Sequence, residues 1–112
     1  MSNYAGKEFL WSKARSPVEI EQSKAVILWG AGSYLLAVSR FLGSEKVLAV
    51  IDNDSNKWGK VIDGFCVQSP ACLQDLPHDA PVVISAARYL DEIAQQIASL
   101  LPGEENRIFS II

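Results

Sequence analysis

The chain has 112 residues, 49% of them hydrophobic and 21% charged, a balance typical of a single folded domain. A formal net charge of -3 supplies no basic surface for nucleic acid, and no apolar run approaches the roughly 20 residues that cross a membrane. Cys66, Cys72 and a single histidine make neither a disulfide framework nor a metal-ligand set. These features predict a cytoplasmic domain that binds no nucleic acid, membrane or metal.

Residues 1–23 precede the first predicted strand as a separate lead-in. The sequence Ser-Pro-Val-Glu at 16–19 has the pattern of a capping box at the start of a short helix. Phe9, Leu10 and Trp11 form an apolar cluster ahead of it. We expect the lead-in either to pack on the sheet edge or to contact a partner, which is a neighbouring domain or the second copy of a homodimer.

Short apolar runs alternate with helical patterns in the rest of the chain. Residues 25–29 and 46–51 are continuous apolar runs, which is typical of strands buried on both faces of a parallel sheet. Gly43 stands where the helix between them should end. The apolar stripe of that helix comprises Leu35, Val38, Phe41 and Leu42.

The second half repeats the alternation. Residues 64–67 predict a short third strand, and Ser69-Pro70 opens a brief helix. Residues 81–86 and 107–112 predict the fourth and fifth strands. The helix between these two strands has an apolar stripe made of Leu90, Ile93, Ala94, Ile97, Ala98 and Leu101.

This order of elements predicts an α/β fold with right-handed crossovers. We expect a Rossmann-like domain over residues 24–112, with five mainly parallel strands in the order 3-2-1-4-5 and helices on both faces. A complete dinucleotide-binding fold continues beyond the fifth strand, so we expect a module of a larger protein.

The turn after the first strand has a phosphate-binding pattern. Gly30 permits a tight turn, and Gly32 permits close approach of the backbone to a ligand. The following helix directs free amides towards that point, where Ser33 adds a hydroxyl donor. Leu35 replaces the third glycine of the dinucleotide fingerprint, which weakens a pyrophosphate interpretation. A nucleotide contact and a purely structural turn therefore both stay open.

Asp52, at the end of the second strand, is the candidate ribose contact. It follows Gly30 by roughly 20 residues, the separation at which a carboxylate accepts ribose hydroxyls, and its charge disfavours NADP. Asp54 and Lys57 follow at the same edge, and Lys57 is a candidate phosphate partner. The alternative is that these residues only end the strand and form a solvated turn.

Ser85 and Arg88 follow the fourth strand, which we expect to lie beside the first. The strand order reverses between these two strands, and open α/β sheets bind ligands in the crevice at that point. Ser85 is either a ligand contact or a helix cap. Arg88 opposes the helix dipole, which favours an anionic partner. His78 lies in a polar loop before this strand, and no nucleophile, base and orienting group occur in a recognisable order. We therefore expect no catalytic residues.

Three stretches together resemble a known family: VILWGAGSYLLAVSRFL, VLAVIDNDSNKWGKVIDGFCVQSP and PVVISAARYLDEIAQQI. They are similar to a Rossmann-like accessory domain of bacterial sugar-modifying proteins, found at the C-terminus of sugar methyltransferases and the N-terminus of sugar acyltransferases. The resemblance covers about residues 24–112 and implies a nucleotide-sugar or similar ligand, with the chemistry in another domain. The matching residues are Gly30, Gly32, Asp52, Asp54, Lys57, Gly59, Gly64, Ser69 and Pro70.

The expected function is a non-catalytic module that binds a nucleotide or nucleotide sugar within a sugar-modifying transferase system, beside a methyltransferase or glycosyltransferase. One alternative is the NAD-binding half of a sugar epimerase or oxidoreductase, which the missing third glycine disfavours. Another is a structural or assembly domain with a vestigial pocket. Surface positions for Trp11, Trp29 and Trp58 would favour that last alternative.

Overall fold

The computed structural model describes residue 20, residues 22–86 and residues 88–110. Helices α1 (Leu35–Leu42) and α2 (Leu90–Leu100) lie in this part of the chain. Short 3₁₀ turns occupy Ser44–Lys46, Ser55–Lys57, Pro70–Asp75 and Glu105–Arg107. The strands are β1 (Val26–Trp29), β2 (Val47–Ile51), β3 (Val61–Ile62), β4 (Phe65–Gln68), β5 (Val82–Ile84) and β6 (Ile108–Ser110).

The described strands form one six-stranded sheet in the order β3-β4-β2-β1-β5-β6. β1 lies at its centre and pairs in parallel with β2 and with β5. β2 also pairs in parallel with β4, and β5 with β6. The expectation of a mainly parallel α/β sheet is confirmed.

The predicted count of five strands, and with it the order 3-2-1-4-5, is wrong because of β3. This strand pairs antiparallel with β4, and Asp63 and Gly64 connect the two with φ values of 53° and 90°. An Asp-Gly pair with both residues in the left-handed region is a strong hairpin signal that the sequence interpretation overlooked. Without the added edge strand, the remaining order is β4-β2-β1-β5-β6.

Side chains on successive strand residues point to opposite faces of the sheet, and each face carries its own apolar cluster. Ile27 and Trp29 of β1 belong to one cluster, whereas Val26 and Leu28 belong to the other. The helices therefore cover opposite faces, as expected. Helix α2 contributes Ile93, Ala94, Ile97 and Ala98 to the first cluster, and α1 contributes Leu35, Val38 and Leu42 to the second.

Helix α1 ends where the sequence predicts. Gly43 has a φ of 105° and donates its N–H to the carbonyl oxygen of Ser39 at 2.9 Å. The predicted short helix at 16–19 and the Phe9 to Trp11 cluster lie outside the described residues. Ile20 is fully buried in the cluster on the α1 side of the sheet. No helix in the described ranges is long and apolar enough to span a membrane.

Candidate functional site

The carboxyl ends of β1, β2 and β5 border one cavity of about 580 Å³. The chain leaves β1 for the helix on one face of the sheet and leaves β5 for the helix on the other. A crevice forms where two such connections diverge, and open α/β sheets place ligands there. Most of the predicted site residues line this cavity, namely Gly30, Gly32, Asp52, Asp54, Lys57 and Arg88.

Ser33 and Ser85 are not among the lining residues. Ser85 is buried, and its Oγ lies 2.9 Å from the carbonyl oxygen of Gly30 and 3.3 Å from that of Trp29. A single hydroxyl hydrogen placed between two acceptors supports the end of β1. The Ser85 hydroxyl therefore faces the backbone of the turn at Gly30 rather than the cavity, and a ligand contact of Ser85 stays a prediction.

Gly30 and Gly32 occupy different environments in that turn. Gly30 has a φ of 129°, and a Cβ there would lie 2.9 Å from Ser85 Oγ and 3.2 Å from the backbone nitrogen of Ala86. A Cβ at Gly32 would have no atom within 4 Å, and the φ of Gly32 lies outside the left-handed region. Gly30 is therefore required by the fold, whereas the absence of a side chain at Gly32 only keeps the cavity open.

Asp52 contacts the backbone through both carboxylate oxygens. Its Oδ2 accepts the N–H of Ala31 at 2.7 Å, and its Oδ1 accepts the N–H of Asp54 at 2.8 Å. Lys57 Nζ lies 3.9 Å from Asp52 Oδ2 and donates to the carbonyl oxygen of Ala31 at 3.0 Å. The loop after β2 therefore holds the peptide groups on both sides of Ala31.

The same loop is organised by its own side chains. Asp54 Oδ1 accepts the N–H of Asn56 at 3.0 Å, which caps the 3₁₀ turn Ser55–Lys57. Trp58 Nε1 donates to the carbonyl oxygen of Asp52 at 2.7 Å. These bonds fix the direction in which Asp52 and Lys57 leave the backbone.

Asn53 and Gln96 join the loop after β2 to helix α2 at the cavity. Asn53 Nδ2 donates to Gln96 Oε1 at 2.8 Å, and Gln96 Nε2 donates to Asn53 Oδ1 at 2.9 Å. Each carboxamide retains one N–H and one lone pair beyond this reciprocal pair. The amide pair is therefore a neutral part of the cavity rim that can still bond to a ligand.

The start of α2 supplies the other side of the cavity. Tyr89 has φ 61° and ψ 30°, a left-handed conformation that is uncommon for a residue other than glycine. Its side chain is exposed, as are those of Arg88 and Glu92. The side chains of Arg88 and Glu92 form no hydrogen bond or ion pair with another described residue.

Trp29 lies between the cavity and the core. It is 1% exposed and packs in the apolar cluster under α2. Its indole Nε1 is buried without a hydrogen-bond partner among the described residues. Trp29 is thus a core residue, unlike Trp58, which is 42% exposed.

Sequence reasoning assigned no ligand contact to Asn53, Tyr89, Glu92 or Gln96, all of which line the cavity. A usable signal was present for two of them. Glu92 and Gln96 are four residues apart and therefore share a face of α2. Helix α2 follows β5, one of the two strands between which the crevice forms, so its first turns border the crevice. The face of α2 that carries Glu92 and Gln96 was therefore a candidate ligand-binding surface. The described residues contain no group of three or more metal-ligating side chains.

A second cavity of about 410 Å³ contains His78, Glu104 and Arg107. Arg107 is buried; its Nε and Nη2 donate to the carbonyl oxygen of Ala80 at 3.0 and 2.8 Å, and Nη2 also donates to that of Pro77 at 2.9 Å. Its Nη1 donates to Glu104 Oε1 at 2.6 Å, and this bond lowers the pKa of the Glu104 carboxyl. Arg107 thus joins the segment before β6 to the loop before β5, and we call this arrangement the Arg107 junction.

Comparisons with known proteins identify one similar solved structure and one matching family. The chain is similar to the solved structure of UDP-D-quinovosamine 4-dehydrogenase from Vibrio fischeri, with a TM-score of 0.59 and 25% identity, over 80% of this chain and 79% of that chain. No curated protein matches it. The family model described as C2185-like, N-terminal matches residues 22–109, which is most of the sequence. The chain therefore belongs to the C2185-like N-terminal domain family.

Proposed function

We propose that this domain binds a nucleotide sugar in the cavity at the carboxyl ends of β1, β2 and β5. It acts as a non-catalytic module of a cytoplasmic sugar-modifying transferase system. The observation that carries the proposal is convergence: the glycine turn, the loop after β2 and the start of α2 line one cavity. Its volume of about 580 Å³ lies within the range of small-molecule sites. Similarity to an enzyme that acts on a UDP-sugar supports the ligand class.

The cavity offers suitable groups for each part of such a ligand. Gly32 leaves room for close approach of a diphosphate to the backbone before α1, and the Arg88 guanidinium provides charge-assisted donors for phosphate oxygens. Hydroxyl groups of a sugar need both acceptors and donors. Glu92 and the amide pair of Asn53 and Gln96, which also line the cavity, supply these.

A second candidate is the NAD-binding half of a sugar dehydrogenase, which the named activity of the Vibrio fischeri protein favours. The position of the third glycine argues against it. Leu35 occupies that position, is fully buried and packs in the cluster under α1. A side chain there keeps the helix from the close approach to the strand that the third glycine allows.

Calorimetric titration with UDP-glucose, UDP-N-acetylglucosamine, UDP and NAD tests the proposal. We expect a UDP-sugar to bind more tightly than NAD, and mass spectrometry to detect no conversion of the bound sugar. Tighter binding of NAD, or oxidation of the sugar when NAD is added, would instead support the dehydrogenase candidate. Binding of none of these compounds would reject both.

A further inference from the structure

We propose that two carboxylates that line the cavity, those of Asp52 and Glu92, have different roles. Asp52 is a positioning residue that fixes the glycine turn, and Glu92 accepts a hydroxyl group of the ligand. The sequence pattern had assigned the hydroxyl contact to Asp52. The role of Glu92 rests on the proposed function, whereas the role of Asp52 needs no ligand and is tested without one.

The positioning role of Asp52 rests on its hydrogen bonds to the backbone. Both of its oxygens accept backbone N–H groups, at 2.7 Å from Ala31 and 2.8 Å from Asp54. Its side chain is only 17% exposed, and Lys57 Nζ lies 3.9 Å from Asp52 Oδ2. Turning the carboxylate towards a ligand would leave these N–H groups without their charged acceptor, and such bonds are stronger than neutral ones.

The role of Glu92 rests on a comparison of the hydrogen-bond partners of the carboxylates that line the cavity. Three carboxylates line the cavity, those of Asp52, Asp54 and Glu92. Asp54 accepts the N–H of Asn56 at 3.0 Å, so it is also engaged with the backbone. Glu92 is exposed and has no partner among the described residues. It is the lining carboxylate whose lone pairs a hydroxyl group can use without breaking a bond in the protein.

Asp52→Asn separates the two tasks because it preserves shape and removes one acceptor. An asparagine side chain has a single carbonyl oxygen, so its NH₂ group must face the N–H of either Ala31 or Asp54. Glu92→Gln is equally isosteric and disturbs no bond that the structure contains. Asp91→Asn is the matched control for Glu92, since Asp91 shares the first turn of α2 and does not line the cavity.

The role of Asp52 is tested by amide exchange and proton chemical shifts in the ligand-free protein. We expect Asp52→Asn to speed exchange and shift the resonance of the Ala31 or Asp54 amide. Glu92→Gln should change neither amide. Resonances from β1, β5 and α2 report whether each variant keeps its fold. Unchanged amides at both positions in a folded Asp52→Asn protein would overturn the positioning role.

The role of Glu92 is tested by affinity for UDP-glucose and UDP. We expect Glu92→Gln to weaken UDP-glucose binding by about tenfold and Asp91→Asn to leave it unchanged. A loss confined to UDP-glucose assigns the hydroxyl to the hexose, and an equal loss for UDP assigns it to the ribose. If the wild type binds and Glu92→Gln binds equally well, the Glu92 role is wrong and the proposed function stands. If the wild type binds neither compound, both fail, while the exchange data still decide the role of Asp52.

Discussion

Gly30 and Gly32 differ at the residue scale in what an added side chain would meet. A Cβ at Gly32 reaches open space, so Gly32→Val should abolish nucleotide-sugar binding while changing the free energy of unfolding by no more than about 1 kcal/mol. Gly30→Ala should instead destabilise the fold by about 1–3 kcal/mol. The φ of Gly30 is 129°, and an added Cβ would lie 2.9 Å from Ser85 Oγ. Denaturant unfolding and calorimetry measure both effects. Undiminished affinity in Gly32→Val would contradict the placement of the ligand.

The two thiols should differ in reactivity. Burial, together with the nearby carboxylate of Asp75, raises the pKa of the Cys72 thiol. A higher pKa means less thiolate at neutral pH, and the thiolate is the species that reacts. Cys66 is exposed. We therefore expect iodoacetamide to alkylate Cys66 before Cys72, as followed by peptide mass spectrometry with Cys66→Ser to assign the sites. Equal rates would show that Cys72 is more accessible than its burial indicates.

At the element scale, Arg107 joins the 3₁₀ turn before β6 to the loop before β5. Arg107→Met should lower the free energy of unfolding by at least about 1–3 kcal/mol, since the carbonyl oxygens of Pro77 and Ala80 lose buried donors. Arg40→Met on the exposed side of α1 is the control and should have little effect. Chemical denaturation measures the difference, and equal stability of the two variants would contradict this role.

The same junction predicts a pH dependence. The hydrogen bond from Arg107 lowers the pKa of Glu104 below its ordinary value of 4.5. The unfolded chain then binds the proton at a higher pH than the folded one, so this contribution to stability is present above 4.5 and lost as the pH falls through the folded value. Wild type and Glu104→Gln should therefore become closer in stability on acidification. If the difference in free energy of unfolding between wild type and Glu104→Gln stayed constant as the pH fell below 4.5, the Glu104 contribution would be contradicted.

The sequence predicted β1, β2 and β5 well because each is a continuous apolar run, a pattern that depends little on neighbours. Strand β3 was missed because it has two residues, with Val61 exposed, and so carries no such run. Only the turn chemistry of Asp63-Gly64 marked it. Short edge strands are therefore found from their turns more readily than from their own residues.

At the scale of the whole molecule, the topology explains which site residues were predictable. Parallel strands end at one edge of a sheet, so the segments containing Gly32, Asp52 and Arg88 were expected to meet there. Side-chain direction was not encoded in the same way. Whether Asp52 faces a ligand or the N–H of Ala31 depends on the loop that Trp58 and Lys57 hold in place. That loop is fixed by a local bond from Trp58 and by long-range bonds between the loop and Ala31.

The reciprocal bonds between Asn53 and Gln96 at the cavity rim should be insensitive to ionic strength. Dissolved ions screen charges, and a pair of neutral carboxamides offers them none to screen. The attraction of Arg88 for a phosphate, in contrast, weakens as salt is added. The salt dependence of binding should therefore report charged contacts with the ligand rather than loosening of the rim, and Asn53→Ala should lower affinity at all salt concentrations without changing the slope. A changed slope would show that the amide pair also orients Arg88.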